Sequence, residues 1–183
     1  DSRLSRGLGD VYKRQVIEGQ VKASLSIRTS SSRREAGDFL DNQQIEDLTR
    51  DLTARMKSMQ QAEQNLDAPA LLEHFSEEPD FCLYSDGQRI DFATLAEGIT
   101  ATYDEVKSIT GSIGRMEVRI LSPQHGLVSA EFREVVVTAE GRESSNTGVA
   151  TWLWQHDGTT WKIAYGQIGH EDENQMTLSA SLE

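Results

Sequence analysis

The sequence predicts an α+β domain, with helices gathered early in the chain and packed on a curved, mainly antiparallel sheet. Three observations carry this. Apolar residues recur at spacings of three and four from Ile45 to Met59, and again from Phe92 to Val106. After Lys107 the pattern drops to period two, with Met116, Val118 and Ile120 alternating with Glu117 and Arg119. Short turn signals separate the late strands: Pro123-Gln124-His125-Gly126, Ala139-Glu140-Gly141-Arg142 and His156-Asp157-Gly158. Helices first and a meander afterwards belong to an α+β fold, not to alternating parallel units.

The elements follow in order. Ile45, Leu48, Leu52, Met56 and Met59 line one face of an amphipathic helix of about 18–20 residues, capped by Asp41 or Asn42. Asp67 caps a second, short helix, in which Pro69 occupies the first turn, where its missing N–H costs little. Phe81-Cys82-Leu83-Tyr84 is a strand ended by the turn pair Asp86-Gly87. Asp91 caps a third helix, with Phe92, Leu95, Ile99, Tyr103 and Val106 on one face. Four strands complete the domain: one around Met116–Ile120, one from Val128 to Val137, one from Thr147 to Gln155 and one from Thr160 to about Ile168. Helices over the concave face of such a sheet leave a conical cavity, a common place for a ligand.

Composition excludes several classes. The 183 residues suffice for one domain, and the longest apolar runs fall far short of a membrane helix. One cysteine, Cys82, excludes an intramolecular disulfide framework and a cysteine-based zinc site. Four scattered histidines, at 74, 125, 156 and 170, have no metal-ligand spacing, so no metal and no cofactor are expected. The net charge is −12, which disfavours nucleic acid as a partner. The charge is uneven: residues 1–40 carry +3 and the remainder −15.

Residues 1–40 read as a disordered leader, since Ser30-Ser31-Ser32-Arg33-Arg34 has no apolar periodicity. Asp10 to Gln15 is a one-frame translation of GAT GTG TAT AAG AGA CAG, a string resembling the transposon end used to tag DNA in sequencing libraries. Residues 1–15 are therefore set aside as an adaptor translation. The domain is placed at 41–172 and a C-terminal tail at 173–183. The leader lacks the apolar core of a secretory signal, so the expected compartment is the cytoplasm, unless an export signal precedes residue 1.

Two carboxylates stand out. Asp86 reads first as a turn residue, because Asp accepts local backbone hydrogen bonds and the following Gly supplies a positive φ. Its alternative reading is a general base. Glu134 interrupts the strand face Val128, Ala130, Phe132, Val136. On a buried face it would be desolvated, as a general acid or base requires; otherwise it is a strand-edge Glu at a bulge, or one paired with Arg133 or Arg115. Tyr84, Tyr103 and Tyr165 offer O–H donors to a cavity or serve as packing residues. Phe132, Trp152 and Gln167 complete the candidate ligand-binding set. Both strand faces carry large apolar residues, Val135 and Val137 on one, Phe132 and Val136 on the other, so a homodimer through the uncovered face is expected.

The run F-C-L-Y-S-D-G-Q-R-I-D-F-A-T-L, the meander, and the ending T-W-L-W-Q-H-D-G-T-T-W-K-I-A-Y-G-Q resemble the nuclear transport factor 2-like superfamily over about residues 43–170. Within it the likeness is to SnoaL-like and ketosteroid-isomerase-like domains. The resemblance implies a cone-shaped α+β barrel, usually dimeric, whose members include isomerases, dehydratases, cyclases, epoxide hydrolases and non-catalytic binding or assembly domains. In the isomerase branch a base lies near the end of the first strand, close to Asp86. An oxyanion-stabilising Tyr on a helix and a protonated Asp on a later strand accompany it. The first helix here has no Tyr, and the nearest carboxylate on an apolar strand face is Glu134. Many relatives end Trp-x-Ile-x-His-x-His; here those positions are Tyr165 and Gln167, with His170 three residues further on. The expectation is a domain binding a small apolar molecule in a central cavity. Its alternatives are a cofactor-independent isomerase or cyclase with Asp86 or Glu134 as base, and a dimerisation module.

Overall fold

The computed structural model describes residues 40–171. The predicted tail and the leader, apart from Leu40, lie outside the described residues. Helix α1 spans Asn42–Gln64 and α2 spans Ala68–Leu72. Strands β1 (Cys82–Ser85) and β2 (Gln88–Ile90) precede α3 (Phe92–Glu105). The long strands β3 (Val106–Ser122), β4 (His125–Thr138), β5 (Glu143–His156) and β6 (Trp161–His170) complete one sheet.

Each helix starts where its capping residue dictates. The Asp41 carboxylate accepts from Gln44 N at 2.8 Å, while the Gln44 side chain accepts from Asp41 N, a reciprocal capping box. Asp67 accepts from Ala70 N at 3.0 Å and Asp91 from Thr94 N at 2.9 Å. The α1 face predicted from the spacing is buried at Leu52 and Met56, although Ile45, in the first turn, stays exposed.

The sheet order is β2-β1-β6-β5-β4-β3. All neighbours are antiparallel except β1 and β6, which run parallel. The helices pack on one mixed, mainly antiparallel six-stranded sheet, the predicted α+β class; the sheet is open, with β2 and β3 as its edges, which do not pair with each other. Asp86 (φ 48°) and Gly87 (φ 83°) form a two-residue turn with positive φ at both positions. That turn folds Gln88–Ile90 back as an additional strand. β3 begins at Val106, directly after α3, ten residues before the alternating apolar signal starts. Its first half, rich in Ser, Thr and Gly, carries little apolar period. Pairing with β4 holds it, with a register break between Ile113 and Met116.

The helices cover one face. Gly126 pairs with Trp154, and a Cβ at Gly126 would overlap Leu52 of α1. On that face Val128, Ala130, Ala150, Trp152 and Trp154 are buried together with Phe75, Phe81 and Ile163. Phe75 meets Phe81 and Trp152 edge-on, with ring centroids 5.9 and 6.1 Å apart. Each of these large side chains contributes about 1.5–3 kcal/mol by burial. Strand alternation places Val149 and Tyr165 on the opposite face, where both are exposed.

Candidate functional site

Toward one end of the helix-covered face the apolar filling gives way to polar groups. Strand β4 presents Phe132 and then Glu134 beyond the buried Ala130. Their partners on β5 are Gly148 and Asn146, and on β3 Ile113 and Gly111. Asn146 Nδ2 donates to Glu134 Oε1 at 2.8 Å, fixing the carboxylate. From α1, Gln60 and Gln64 donate their amides to the Gly111 carbonyl at 3.1 and 2.9 Å, anchoring the C-terminal half of α1 over this row.

Glu63 lies on the same stretch of α1. Desolvation, and second to it the negative charge of Glu134, push its carboxyl up to about 7. From α3 comes Tyr103. Desolvation pushes its phenol well above the ordinary value, with the charges of Glu63, Glu134 and Asp67 adding to the shift. The Tyr103 hydroxyl is buried and has no hydrogen-bond partner in the structure. A phenol held protonated and unpartnered is a donor waiting for an acceptor. Two carboxylates and a phenol therefore converge from α1, α3 and β4, and one of the carboxylates titrates near neutrality.

The candidate residues separate by face. Glu134, Phe132 and Tyr103 come together at this end. Trp152 faces the helices too, but deep in the core, where a Cβ at its register partner Gly166 would overlap its ring. Tyr84 and Tyr165, with ring centroids 6.1 Å apart, lie with Gln167 on the opposite face. Their strand neighbours Leu83 and Gly166 pair with each other on the buried side. Asp86 occupies the β1–β2 turn, and its carboxylate takes two hydrogen bonds from His170.

Spacing on α1 could have shown Glu63, since it stands seven residues after Met56 on the buried stripe. Nothing local marks Asn146, which owes its role to pairing with Glu134. A hollow of about 420 Å³ opens between α1 and the edge strand β3. Gly111 and Ile113, the register partners of Glu134 and Phe132, line it together with Lys57 and Gln60. Another, of about 350 Å³, is lined by Ser76, Gln155 and Lys162 and includes neither Glu63 nor Glu134. Among the described residues no cluster of His, Cys, Asp and Glu suits a metal ion, and no helix is long and apolar enough to cross a membrane.

Comparison of folds places this architecture. A nuclear transport factor 2-like superfamily protein from Salmonella enterica serovar Typhimurium superposes with a TM-score of 0.62 at 12% identity, over 70% of this chain and 94% of that one. A candidate scytalone dehydratase from Novosphingobium aromaticivorans gives 0.63 at 10% identity, over 69% and 85%. A candidate dehydratase of the same family from Streptomyces avermitilis gives 0.62 at 11% identity, over 69% and 98%. No family model and no curated protein matches the sequence. The fold is that of the nuclear transport factor 2-like superfamily. At these identities the likeness defines the architecture, and function rests on the site itself.

Proposed function

We propose that this chain is a cofactor-independent acid–base enzyme that moves protons on a small apolar carbonyl compound. The observation that carries the reading is the convergence of Glu63, Glu134 and the unpartnered Tyr103 hydroxyl at one end of the helix-covered face. Glu134, oriented by Asn146, is the base that takes a proton from the carbon next to the carbonyl. The Tyr103 O–H, and Glu63 in its protonated form, donate to the carbonyl oxygen as negative charge develops there. A donor already buried and unpaired needs little reorganisation to meet that charge. The hollow beside Gly111, the register partner of Glu134, is of the size a small molecule needs.

A small cyclic ketone such as cyclohexanone, incubated with the protein in D2O, tests this by NMR. The expected result is exchange of its α-protons above the buffer rate, lost in Glu134→Gln and reduced in Tyr103→Phe. Exchange no faster than buffer across a panel of cyclic ketones removes the reading. A second reading, an assembly module, is favoured by the Trp and Phe side chains that fill the centre of the core where a ligand cavity was expected. Under it both variants behave as the parent does.

A further inference from the structure

The two edges of the sheet differ. β2 is three residues long and carries an exposed Arg89 in its middle, which blunts that edge against further pairing. β3 is 17 residues long, and no further strand lies beside it among the described residues. From Ser108 to Gly114 it reads Ser-Ile-Thr-Gly-Ser-Ile-Gly, with no charge and no proline to discourage pairing. The register break between Ile113 and Met116 comes at the end of this stretch. The open side can be assigned. The Gly111 carbonyl accepts from Gln60 Nε2 and Gln64 Nε2 at 3.1 and 2.9 Å, so both its lone pairs are taken outside the β4 ladder. In an antiparallel ladder alternate residues bond to the neighbouring strand and the rest point away. Gly111 and Ile113 therefore turn their main-chain groups to the edge.

Charge decides what fits there. β3 carries Lys107, Arg115 and Arg119 against one carboxylate, Glu117, which the two arginines share at 2.6 and 3.4 Å. From α1 comes Lys57, an exposed residue that lines the hollow beside Gly111 and Ile113. Lys57 is the charged residue of that lining, and among the described residues it has no ion pair. Glu131 of β4 stands beside Gly114. The edge is thus basic on a body that carries −15. A second copy's β3 is a poor partner for it. Antiparallel pairing about Gly111 sets Lys107 opposite Arg115 twice, and parallel pairing in register sets each cation beside its twin; like charges so placed repel.

We infer that the β3 edge is a docking site for an extended peptide of another protein, with an uncharged β-branched core and a carboxylate at each end. The peptide adds to the sheet as a further strand. The Gly111 N–H and the Ile113 N–H and C=O bond to its main chain. Its alternate side chains fall toward the hollow beside α1. One terminal carboxylate meets Lys57 and Arg115, and the other meets Lys107. The inference is independent of the acid–base reading.

The peptide acetyl-Glu-Thr-Val-Thr-Val-Thr-Val-Thr-Glu-amide, titrated into the 15N-labelled full chain, tests this by NMR. The expected result is saturable binding at about 10–100 μM, with the largest amide shifts from Gly111 to Gly114. Hydrogen exchange at the Gly111 and Ile113 amides should slow by about tenfold or more. The same peptide N-methylated at its three valines lacks the donors that face β3 and should not bind. With Lys in place of both Glu residues it should bind about tenfold more weakly. Lys57→Glu should weaken the Glu-ended peptide and strengthen the Lys-ended one, an exchange of preference that a folding defect does not produce. Shifts away from β3, equal binding of the N-methylated peptide, no exchange of preference in Lys57→Glu, or no binding at about 1 mM peptide overturns the inference. So does slow exchange at Gly111 and Ile113 in the free protein that deepens with protein concentration, since a second copy then holds the edge.

Discussion

Asn146 Nδ2 lies 2.8 Å from Glu134 Oε1 across a register pair of β4 and β5. The bond ties the Glu134 charge to one place on the sheet, opposite the end of α1 that carries Glu63.

The Glu63 carboxyl is raised from 4.5 to about 7 by desolvation first and by the Glu134 charge second. Glu134→Gln removes the second cause only. The Glu63 carboxyl should then titrate lower, though still above an ordinary Glu, in carboxyl 13C NMR. An unchanged titration shows that the Glu134 charge does not reach it. Linkage gives the sign for stability. The folded state binds this proton more tightly than the unfolded chain, so stability from Glu63 is fully present below about pH 4.5. It declines as pH rises and levels off above about 7. Relative to the parent, Glu63→Gln should therefore gain stability between pH 4 and pH 8, by on the order of 3 kcal/mol as an upper bound. Urea denaturation at the two pH values checks it.

Tyr103→Phe deletes a buried hydroxyl that has no partner. Removing an unsatisfied polar group is neutral or stabilising, by about 1 kcal/mol. The variant should be at least as stable as the parent while its proton-transfer activity is reduced. A loss of 1 kcal/mol or more in chemical denaturation shows that the hydroxyl has a stabilising partner in solution.

His74 is 3% exposed, a buried polar residue of the core. Desolvation, and then the Arg55 charge, hold its pKa below the ordinary 6.5, against the pull of the Ala70 carbonyl hydrogen bond at 3.0 Å. The unfolded chain takes up this proton first as pH falls. Stability from His74 is therefore present above pH 6.5 and lost as pH drops below it, opposite in direction to Glu63. His74→Leu should flatten the acid side of the stability curve, read by denaturation between pH 6.5 and 5. An unchanged slope there shows that His74 does not set it.

On the face away from the helices, Val149 is 47% and Tyr165 38% exposed. A second copy covering them would remove that apolar surface from water. Light scattering should give a mass near twice the 20.4 kDa chain, and Val149→Glu should return it to one chain. A single-chain mass for the parent at micromolar concentration leaves that face unpaired.

Much of the fold was legible because its signals are local. The three caps, Asp41, Asp67 and Asp91, begin helices by accepting from the backbone three residues on. Strand alternation in β4 identified the face that carries Phe132 and Glu134. Strand β2 and the first half of β3 were not legible. Gln88-Arg89-Ile90 and the Ser/Gly-rich stretch before Met116 carry no apolar period, and their strand character comes from partners elsewhere in the chain.

The site divides the same way. By itself the sequence determined that Glu134 shares a strand face with apolar residues, that Asp86-Gly87 turns, and that Tyr103 follows the apolar stripe of its helix. Periodicity and backbone preference act within a few residues and suffice for that. Only the tertiary structure decided that β4's Glu134 faces Glu63 of α1 and Tyr103 of α3. It also decided that Tyr84 and Tyr165 lie on the opposite face, and that Asp86 holds His170, 84 residues away. The reason is that desolvation and charge–charge interaction depend on distance through space. Which side chains share a region of low dielectric is settled when helices and sheet pack, not by their order along the chain.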